Sequence, residues 1–153
     1  MVAAPAALRD NRPMKKLIPL LLILAGCNTT VSKEEMEGVD YGAKPTHWQE
    51  DIRSYLSLRL NNPKQAVVEF PGGEPKKLYQ RGTPVRDKQW GWGVCVWIKD
   101  KDKDGKDDYF PMTFIFRGEK MEFINGGPDD ANVIGARYSR DQCDRLGTPF
   151  IPL

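Results

Sequence analysis

The chain has 153 residues, of which 40% are apolar and 29% are charged. This length is enough for one domain and not for two, and the composition is that of an ordinary globule, which excludes a disordered tail. Residues 1–26 hold four basic residues and one acidic residue, a net +3, so the whole-chain charge of +2 leaves −1 for residues 27–153. Without a basic surplus or a recognisable motif, we expect no nucleic-acid partner.

The first predicted element is a signal peptide over residues 1–26. A basic Met-Lys-Lys segment at residues 14–16 precedes an apolar run at residues 17–24, and small residues follow. This order is typical of a secretory signal. The run is under half of the about 20 apolar residues that span a bilayer, so we expect no transmembrane anchor. Met14 is the better start, because residues 1–13 fit no part of such a leader; a long basic leader segment is the alternative.

The segment Leu24-Ala25-Gly26-Cys27 resembles the lipobox of bacterial lipoproteins, in which Leu, then Ala or Ser, then Gly or Ala precede the cysteine. In that family the thiol receives a diacylglyceryl group, the chain is cut before the cysteine, and the new amine is acylated. The resemblance implies a lipid on Cys27 that attaches the chain to a membrane, since two or more acyl chains give stable anchoring. A buried apolar helix with an incidental cysteine is the alternative.

The residue after the cysteine bears on the location. In the lipoproteins that this chain resembles, an Asp at that position commonly signals retention in the inner membrane. Asn28 stands there instead. The resemblance therefore implies an outer-membrane lipoprotein that faces the periplasm, with the inner membrane or the cell surface as alternatives.

Cys95 and Cys143 are the two cysteines that remain when Cys27 carries lipid. An exported chain folds in an oxidising compartment, where a lone pair of cysteines usually forms a disulfide. The bridge would close a loop of about 50 residues and contribute roughly 4 kcal/mol on the chain-entropy treatment. We therefore predict a Cys95–Cys143 disulfide; two buried free thiols are the alternative.

After the signal peptide, residues 27–40 are predicted to be the lipidated cysteine and a flexible tether, because this segment is polar. The globular domain is expected over residues 41–153. Its first element is an amphipathic helix from about Thr46 to Leu60, which begins with a capping-box pattern at Thr46 and Gln49. Apolar residues recur along it at spacings of three and four, which places them on one face: Trp48, Ile52, Tyr55, Leu56 and Leu60.

Short apolar segments after this helix predict strands, at residues 66–70, 77–80, 90–98, 109–116 and 121–124. In the strand at residues 90–98 the even positions are large and apolar, while Gly91 and Gly93 mark a place where another part of the chain approaches closely. A second capping-box pattern, Ser139 and Gln142, predicts a short C-terminal helix that carries Cys143.

This order of elements predicts an α+β fold. We expect an N-terminal amphipathic helix packed on an antiparallel meander of about 4–5 strands, followed by the short C-terminal helix. Such a sheet buries one face and can leave the other face to solvent.

The acidic segment at residues 100–108 is the strongest candidate for site chemistry. Asp-x-Asp-x-Asp-Gly matches the first six positions of an EF-hand loop, in which alternate carboxylates converge on calcium. Pro111 occupies the position of the bidentate Glu, and the flanking segments are strands, so a true EF-hand is excluded. A weak calcium site remains as one hypothesis, and a solvated turn in which lysines offset the aspartates is the other. Its ligands would be Asp100, Asp102, Asp104 and Asp108.

Signals of catalysis are few. His47 is the single histidine and lies in the first turn of the predicted helix, where an exposed polar role is commoner than that of a base. We find no Ser or Cys in a nucleophile motif and no His/Cys cluster of the kind that holds zinc, so we name no catalytic residue.

An aromatic-rich hairpin is expected to belong to the core, with an exposed binding platform as the alternative: Trp90, Trp92, Trp97, Tyr109, Phe110, Phe114 and Phe116.

Four segments resemble motifs of a group of small proteobacterial envelope lipoproteins of unknown function. Those motifs are Tyr-Gly-x-x-Pro, an Ile-x-x-Tyr-Leu helix, an (Asn/Asp)-Pro stop and a Gly-(Trp/Tyr)-x-Val-Cys-Val strand, and they fall here at residues 41–45, 52–56, 62–63 and 91–96. That strand usually runs into an Asn-Ala-Lys-Asn loop, which the acidic segment replaces here, so any function of that loop does not carry over. The resemblance covers most of residues 41–124 and implies a fold and an envelope location, but no activity.

The favoured functional hypothesis is a lipid-anchored envelope protein that acts as a non-catalytic binding or interaction module. Its expected partners are the membrane, through the lipid on Cys27, and an envelope protein. One alternative is a calcium-dependent recognition module that uses the acidic segment. The less favoured alternative is a small-molecule hydrolase, which would need a cleft lined by carboxylates with shifted pKa values.

Overall fold

Three helices and five antiparallel strands form the part of the chain that the computed structural model describes, residues 31–128 and 133–151. The predicted signal peptide and Cys27 lie outside these residues. Among the described helices, none is both long and apolar enough to cross a membrane. In chain order the elements are α1 Lys33–Glu37, α2 Trp48–Ser57, β1 Val67–Glu69, β2 Lys76–Gln80, β3 Gln89–Lys101, β4 Asp107–Arg117, β5 Lys120–Asn125 and α3 Val133–Arg145.

Strand β3 is the centre of the sheet. It pairs with β4 along one edge, and β4 pairs with β5, so β2, β3, β4 and β5 form the expected antiparallel meander. The fifth strand departs from it, because β1 pairs with β3 and not with β2. The second edge of β3 is long enough for both short strands. Its first half pairs with β2, and its second half pairs with β1 from Trp97 to Lys99.

The sheet is covered by helices on both faces, whereas the sequence predicted that one face could stay in solvent. Successive side chains of a strand point to opposite faces. The even positions of β3 and β4 pack with Trp48, Ile52 and Leu56 of α2. The odd positions, among them Cys95 and Ile115, pack with Cys143 of α3 and with its neighbour Leu146. The fold is therefore α+β with three layers, helix, sheet and helix.

Helix α2 agrees with the predicted amphipathic helix in position and in its apolar face. Trp48, Ile52 and Leu56 are buried, and the Trp48 ring meets the Phe70 ring edge-on at 5.2 Å. The predicted capping box is wrong. His47 is the N-cap residue and makes no side-chain cap bond, while the Thr46 hydroxyl donates to Glu119 at 2.9 Å. A hydrogen bond to Glu119 on the β4–β5 turn thus takes the place of the predicted bond within the first turn of the helix.

Helix α3 is longer than predicted and begins earlier. It starts at Val133, so Ser139 lies inside it and not at its N-cap. The Ser139 hydroxyl donates instead to the carbonyl of Pro111 on β4 at 3.1 Å, and Thr113 donates to the Ser139 carbonyl at 3.2 Å. These bonds hold the helix against β4. Cys143 lies on this helix, as expected.

Part of the predicted tether is ordered. The compact unit begins at Val31 and not at residue 41, and it includes α1. Ser32 and Glu35 form a complete capping box at the start of this helix. Arg81, which follows β2, donates from Nε to Glu35 Oε1 at 2.8 Å and also pairs with it through Nη2. This bonding to Arg81 lowers the pKa of the Glu35 carboxyl to about 2. Helix α1 is therefore fixed to the end of the sheet.

Candidate functional site

The acidic segment forms the hairpin between β3 and β4, and its first carboxylate has a structural role. Asp100 is only 4% exposed. Its Oδ2 accepts the backbone N–H of Asn61 at 2.9 Å, and its carboxylate also accepts the N–H of Asn62 at 3.2 Å. Because both donors lie just after α2, Asp100 ties the chain that leaves the helix to the end of β3.

The carboxylate of Asp102 shapes the turn. Its Oδ1 accepts the N–H groups of Asp104 at 2.9 Å and of Lys106 at 2.8 Å. At the base of the hairpin, Lys101 Nζ lies 2.7 Å from Asp107 Oδ1, and this hydrogen bond lowers the pKa of Asp107. Oxygens that a cation would need are thus already bonded to the protein.

The hairpin brings two of the four proposed calcium ligands side by side. Asp100 and Asp108 are cross-strand partners, and burial raises the pKa of Asp108, with a further rise from the charges of Asp102 and Asp100. Within residues 31–128 and 133–151, no group of three or more His, Cys, Asp or Glu side chains is arranged to hold a metal ion. The calcium site at Asp100, Asp102, Asp104 and Asp108 stays a prediction.

A small cavity of about 180 Å³ lies beside this hairpin and contains the carboxylates of Asp100 and Asp107. A hydrolase would need one carboxyl with a raised pKa to act as general acid. Asp107 has a lowered pKa because of Lys101, and Asp100 is occupied by two backbone N–H groups. Neither carboxyl that lines this cavity therefore fits the role of general acid.

His47 is exposed at the start of α2. Its Nδ1 lies 3.1 Å from the Thr46 hydroxyl and 3.9 Å from Glu119 Oε2. Glu119 accepts bonds from Thr46 and His47, and these hydrogen bonds lower its pKa. The structure thus places His47 in a contact that joins α2 to the β4–β5 turn.

The two cysteines of the domain are bonded as the sequence predicts. The Sγ atoms of Cys95 and Cys143 are 2.03 Å apart, and their Cα atoms are 5.2 Å apart. Both residues are buried, Cys95 on β3 and Cys143 on α3. The bridge therefore joins the central strand to the helix that covers one face of the sheet.

The aromatic-rich hairpin does not form one platform. Phe110, Phe114 and Phe116 are buried in the core beneath α2, as expected. The Tyr109 ring packs on Phe150 at 4.7 Å, and the Trp97 ring also meets Phe150, at 6.0 Å. The aromatics that stay half-buried at the other end of the sheet are Trp90 and Trp92.

Trp90 lies in a groove that combines charged groups with an aromatic ring, and we call it the tether-side groove. It holds about 550 Å³. One wall is the chain that follows α1, residues 38–40 and Gly42. The other walls are Lys88 and Trp90 at the start of β3 and Arg117 and Gly118 at the β4–β5 turn.

Trp90 is held in the groove by contacts on its edge and its faces. Its indole N–H donates to the carbonyl of Asp40 at 3.0 Å. Lys88 Nζ lies 5.0 Å from the ring centroid, and the guanidinium carbon of Arg117 lies 4.5 Å from it. Cations at these distances are attracted by the ring face. Arg117 is also oriented by Glu122, whose Oε2 lies 3.2 Å from Nη2.

The same arrangement recurs next to the groove. The Trp92 indole N–H donates to the carbonyl of Gly42 at 3.1 Å. Lys77 Nζ lies 5.0 Å from the ring of Tyr41 and 5.8 Å from that of Trp92. Two tryptophans therefore fasten the chain after α1 to the sheet, and three cations border their rings.

Gly42 has to be a glycine in this arrangement. Its φ is +65°, and a Cβ atom there would meet the backbone nitrogen of Gly118 at 2.7 Å. The sequence reasoning missed this groove, because its walls come from segments about 50 residues apart in the chain, as the bond from Trp90 to Asp40 shows. The signal that could have pointed to it is the cation next to a tryptophan at Lys88 and Trp90.

Comparisons with protein-family models, with curated proteins and with solved structures find no significant match to this chain. The resemblances to the lipobox and to the small envelope lipoproteins therefore stay predictions from the sequence.

Proposed function

We propose that the chain is a lipid-anchored protein of the bacterial envelope, cut before Cys27 and held by acyl chains on that cysteine. Its domain, which begins at Val31, acts as a non-catalytic binding or interaction module on the periplasmic side of the outer membrane. The observation that carries the proposal is the order of a basic segment, a short apolar run and a lipobox-like Leu-Ala-Gly-Cys in residues 14–27.

Two features of the domain support the proposal. The disulfide between Cys95 and Cys143 fits a chain that folds in an oxidising compartment, such as the bacterial periplasm. The tether-side groove presents cations and a tryptophan beside the part of the chain nearest to Cys27, and tryptophan and arginine are the side chains most favoured at interfaces.

The anchoring is tested by substitution of the cysteine. In bacteria fed a labelled fatty acid, the wild-type chain should take up label, and Cys27→Ser should take up none, because the acceptor thiol is gone. Ser32→Ala, outside the lipobox-like segment, is the matched control and should keep the label. Equal labelling of the wild type and Cys27→Ser would refute the lipoprotein proposal.

The location is tested by one further variant in the same cells. If Asn28 lets the protein travel to the outer membrane, Asn28→Asp should move it to the inner-membrane fraction while acylation continues. Separation of the two membranes by density shows where the labelled protein lies. An unchanged distribution would leave the anchor in place but remove the argument for the outer membrane.

A further inference from the structure

The tether-side groove lies close to the point at which the proposed lipid would attach. Cys27 and Val31 are four residues apart, and an extended chain covers at most about 3.6 Å per residue, so Val31 is within about 14 Å of the acylated cysteine. Helix α1 follows and adds only about 8 Å along its axis. The next residue is Gly38, which lines the groove.

Helix α1 and the chain after it are fixed to the rest of the domain. The bonds between Glu35 and Arg81 fix it to the end of β2, and the Trp90 indole fixes the following chain to β3. The short connection keeps the start of α1 within reach of the surface that would contain the lipid. The same end of the domain carries the groove, whereas the β3–β4 hairpin lies at the other end of the same strands.

The chemistry of the groove matches an anionic lipid surface. Two cations, Lys88 and Arg117, line it with one acid, Asp40, whose Oδ1 is engaged by the N–H of Gly42 at 2.8 Å. Arg117 also pairs with Glu122 outside the groove lining, at 3.2 Å, so among the described residues Lys88 is the groove cation without such an ion pair. Lysine and arginine near a membrane are attracted to negatively charged headgroups. Tryptophan favours the headgroup level, where one end of the side chain is apolar and the other is wet. Trp90 is half-buried between the two cations.

We propose that the tether-side groove lies against the membrane that holds the anchor, and that Lys88 and Arg117 bind the phosphate groups of anionic lipid headgroups. The inference rests on the proposed function, because it takes the short distance to the membrane from acylation at Cys27. It adds an orientation to that function: the groove end faces the lipid, and the β3–β4 hairpin faces away from it.

The test compares the reactivity of lysines in the acylated protein, purified from cells that express the full chain. The protein is inserted into vesicles of phosphatidylcholine alone or with phosphatidylglycerol, and lysines are acetylated for short times and read by mass spectrometry. Lys88 should react severalfold more slowly in the vesicles that contain phosphatidylglycerol. Lys106, on the β3–β4 hairpin, is the internal control and should react at the same rate in both.

A variant with an altered charge tests the role of Lys88. Lys120, the first residue of β5, pairs with the same Glu122 as Arg117 does and is read as a neighbour. In the wild type, phosphatidylglycerol should protect Lys120 from acetylation. This protection of Lys120 should fall to less than twofold in Lys88→Gln, whereas Lys106→Gln should leave it unchanged. Both substitutions are at exposed positions, so loss of the fold does not confuse the result.

Several outcomes would overturn the inference. Equal reactivity of Lys88 in the two kinds of vesicle excludes binding of anionic headgroups. Equal protection of Lys88 by millimolar inorganic phosphate in phosphatidylcholine vesicles makes the groove a site for free phosphate and not for lipid. Protection that needs added envelope extract assigns the groove to a protein partner.

Failure of the anchor is distinguished in the same sample. The mass of the peptide that begins at Cys27 shows whether acyl groups are present. If they are absent, the proposed function fails and the orientation fails with it. If they are present and Lys88 is unprotected, only the inference about the groove fails.

Discussion

Asp100 illustrates how one side chain can satisfy two parts of the fold at once. It is 4% exposed and accepts the N–H groups of Asn61 and Asn62, which follow the end of α2. Hydrogen bonds to a charged acceptor stabilise by about 1.5–3 kcal/mol, more than bonds between neutral groups. The carboxylate that the sequence suggests as a metal ligand therefore connects the chain after α2 to β3 by hydrogen bonds.

Removal of this carboxylate should lower stability measurably. For the soluble chain of residues 28–153 we expect Asp100→Ala to lower the free energy of unfolding by about 1–3 kcal/mol, because two backbone donors lose their acceptor. Asp100→Asn keeps one acceptor oxygen and should lose less. Urea unfolding measures both.

The matched control is Asp104→Ala on the exposed tip of the same hairpin, for which we expect a change within about 0.5 kcal/mol. If Asp104→Ala and Asp100→Ala cost the same, the bonds to the chain after α2 contribute nothing specific.

Calcium should leave the melting temperature of the soluble chain unchanged at millimolar concentration. Asp100 and Asp102 already accept backbone N–H groups, and among the described residues no three acidic, His or Cys side chains are placed to hold a metal ion. Thermal unfolding in calcium and in EDTA is the measurement. A rise in melting temperature that disappears in the Asp102→Ala, Asp104→Ala double variant would establish the weak site, with about 2.7 kcal/mol of stabilisation at a hundredfold excess over Kd.

At the scale of elements, alternation of apolar residues predicted the strands well. The long strand β3 and its neighbour β4 were found to within three residues at each end, because their even positions are apolar along most of their length. Gly93 also agrees, since a Cβ atom there would meet the side chain of Leu78 at 3.0 Å. Gly91 is closer still, with Phe116 O at 2.3 Å from such an atom.

The starts of helices were predicted less well, for a physical reason. A capping box is a local bond, and any better partner elsewhere in the fold replaces it. Glu119 takes the Thr46 hydroxyl from 73 residues away, and the Pro111 carbonyl takes the Ser139 hydroxyl. The converse case is α1, which begins with a capping box at Ser32 and Glu35, while the prediction of a flexible tether used only the polarity of the segment.

The candidate groove could not be predicted from the sequence either, because its contacts also join distant parts of the chain. Arg117 reaches Lys88 and Trp90 only when β4 pairs with β3, and the groove gains its other wall only when the chain after α1 lies across the ends of these strands. That placement depends on Gly42, where only a glycine fits against Gly118, and on the indole bond of Trp90 to Asp40. The pairing of β1 with β3 also joins segments that are far apart in the chain. The three residues of β1 do not specify which strand edge they pair with.

At the scale of the whole molecule, the helices on the two faces of the sheet bury it through different kinds of contact. Helix α2 covers one face with its apolar side chains, whereas α3 uses a polar network as well as apolar contacts. In that network Gln142 Oε1 accepts the side-chain N–H of Asn125 at 2.9 Å, and Gln142 Nε2 donates to Gln89 at 3.1 Å. A helix with few large apolar residues is thus held by directed bonds and by the disulfide.

The disulfide should be the largest single contribution to the attachment of α3. It closes a loop of 48 residues, for which the chain-entropy treatment gives roughly 4 kcal/mol, a large part of the about 5–15 kcal/mol that stabilises a typical domain. We expect a reducing agent to lower the urea midpoint of the soluble chain by an amount that corresponds to about 3–5 kcal/mol. The Cys95→Ala, Cys143→Ala double variant is the control, because it should unfold at low urea with or without the reductant.

Mass spectrometry of non-reduced peptides should recover the two cysteines linked. Free thiols in protein taken from native envelopes, or a urea midpoint that ignores the reductant in the wild type, would contradict the bridge and would leave the polar network on α3 as its main attachment.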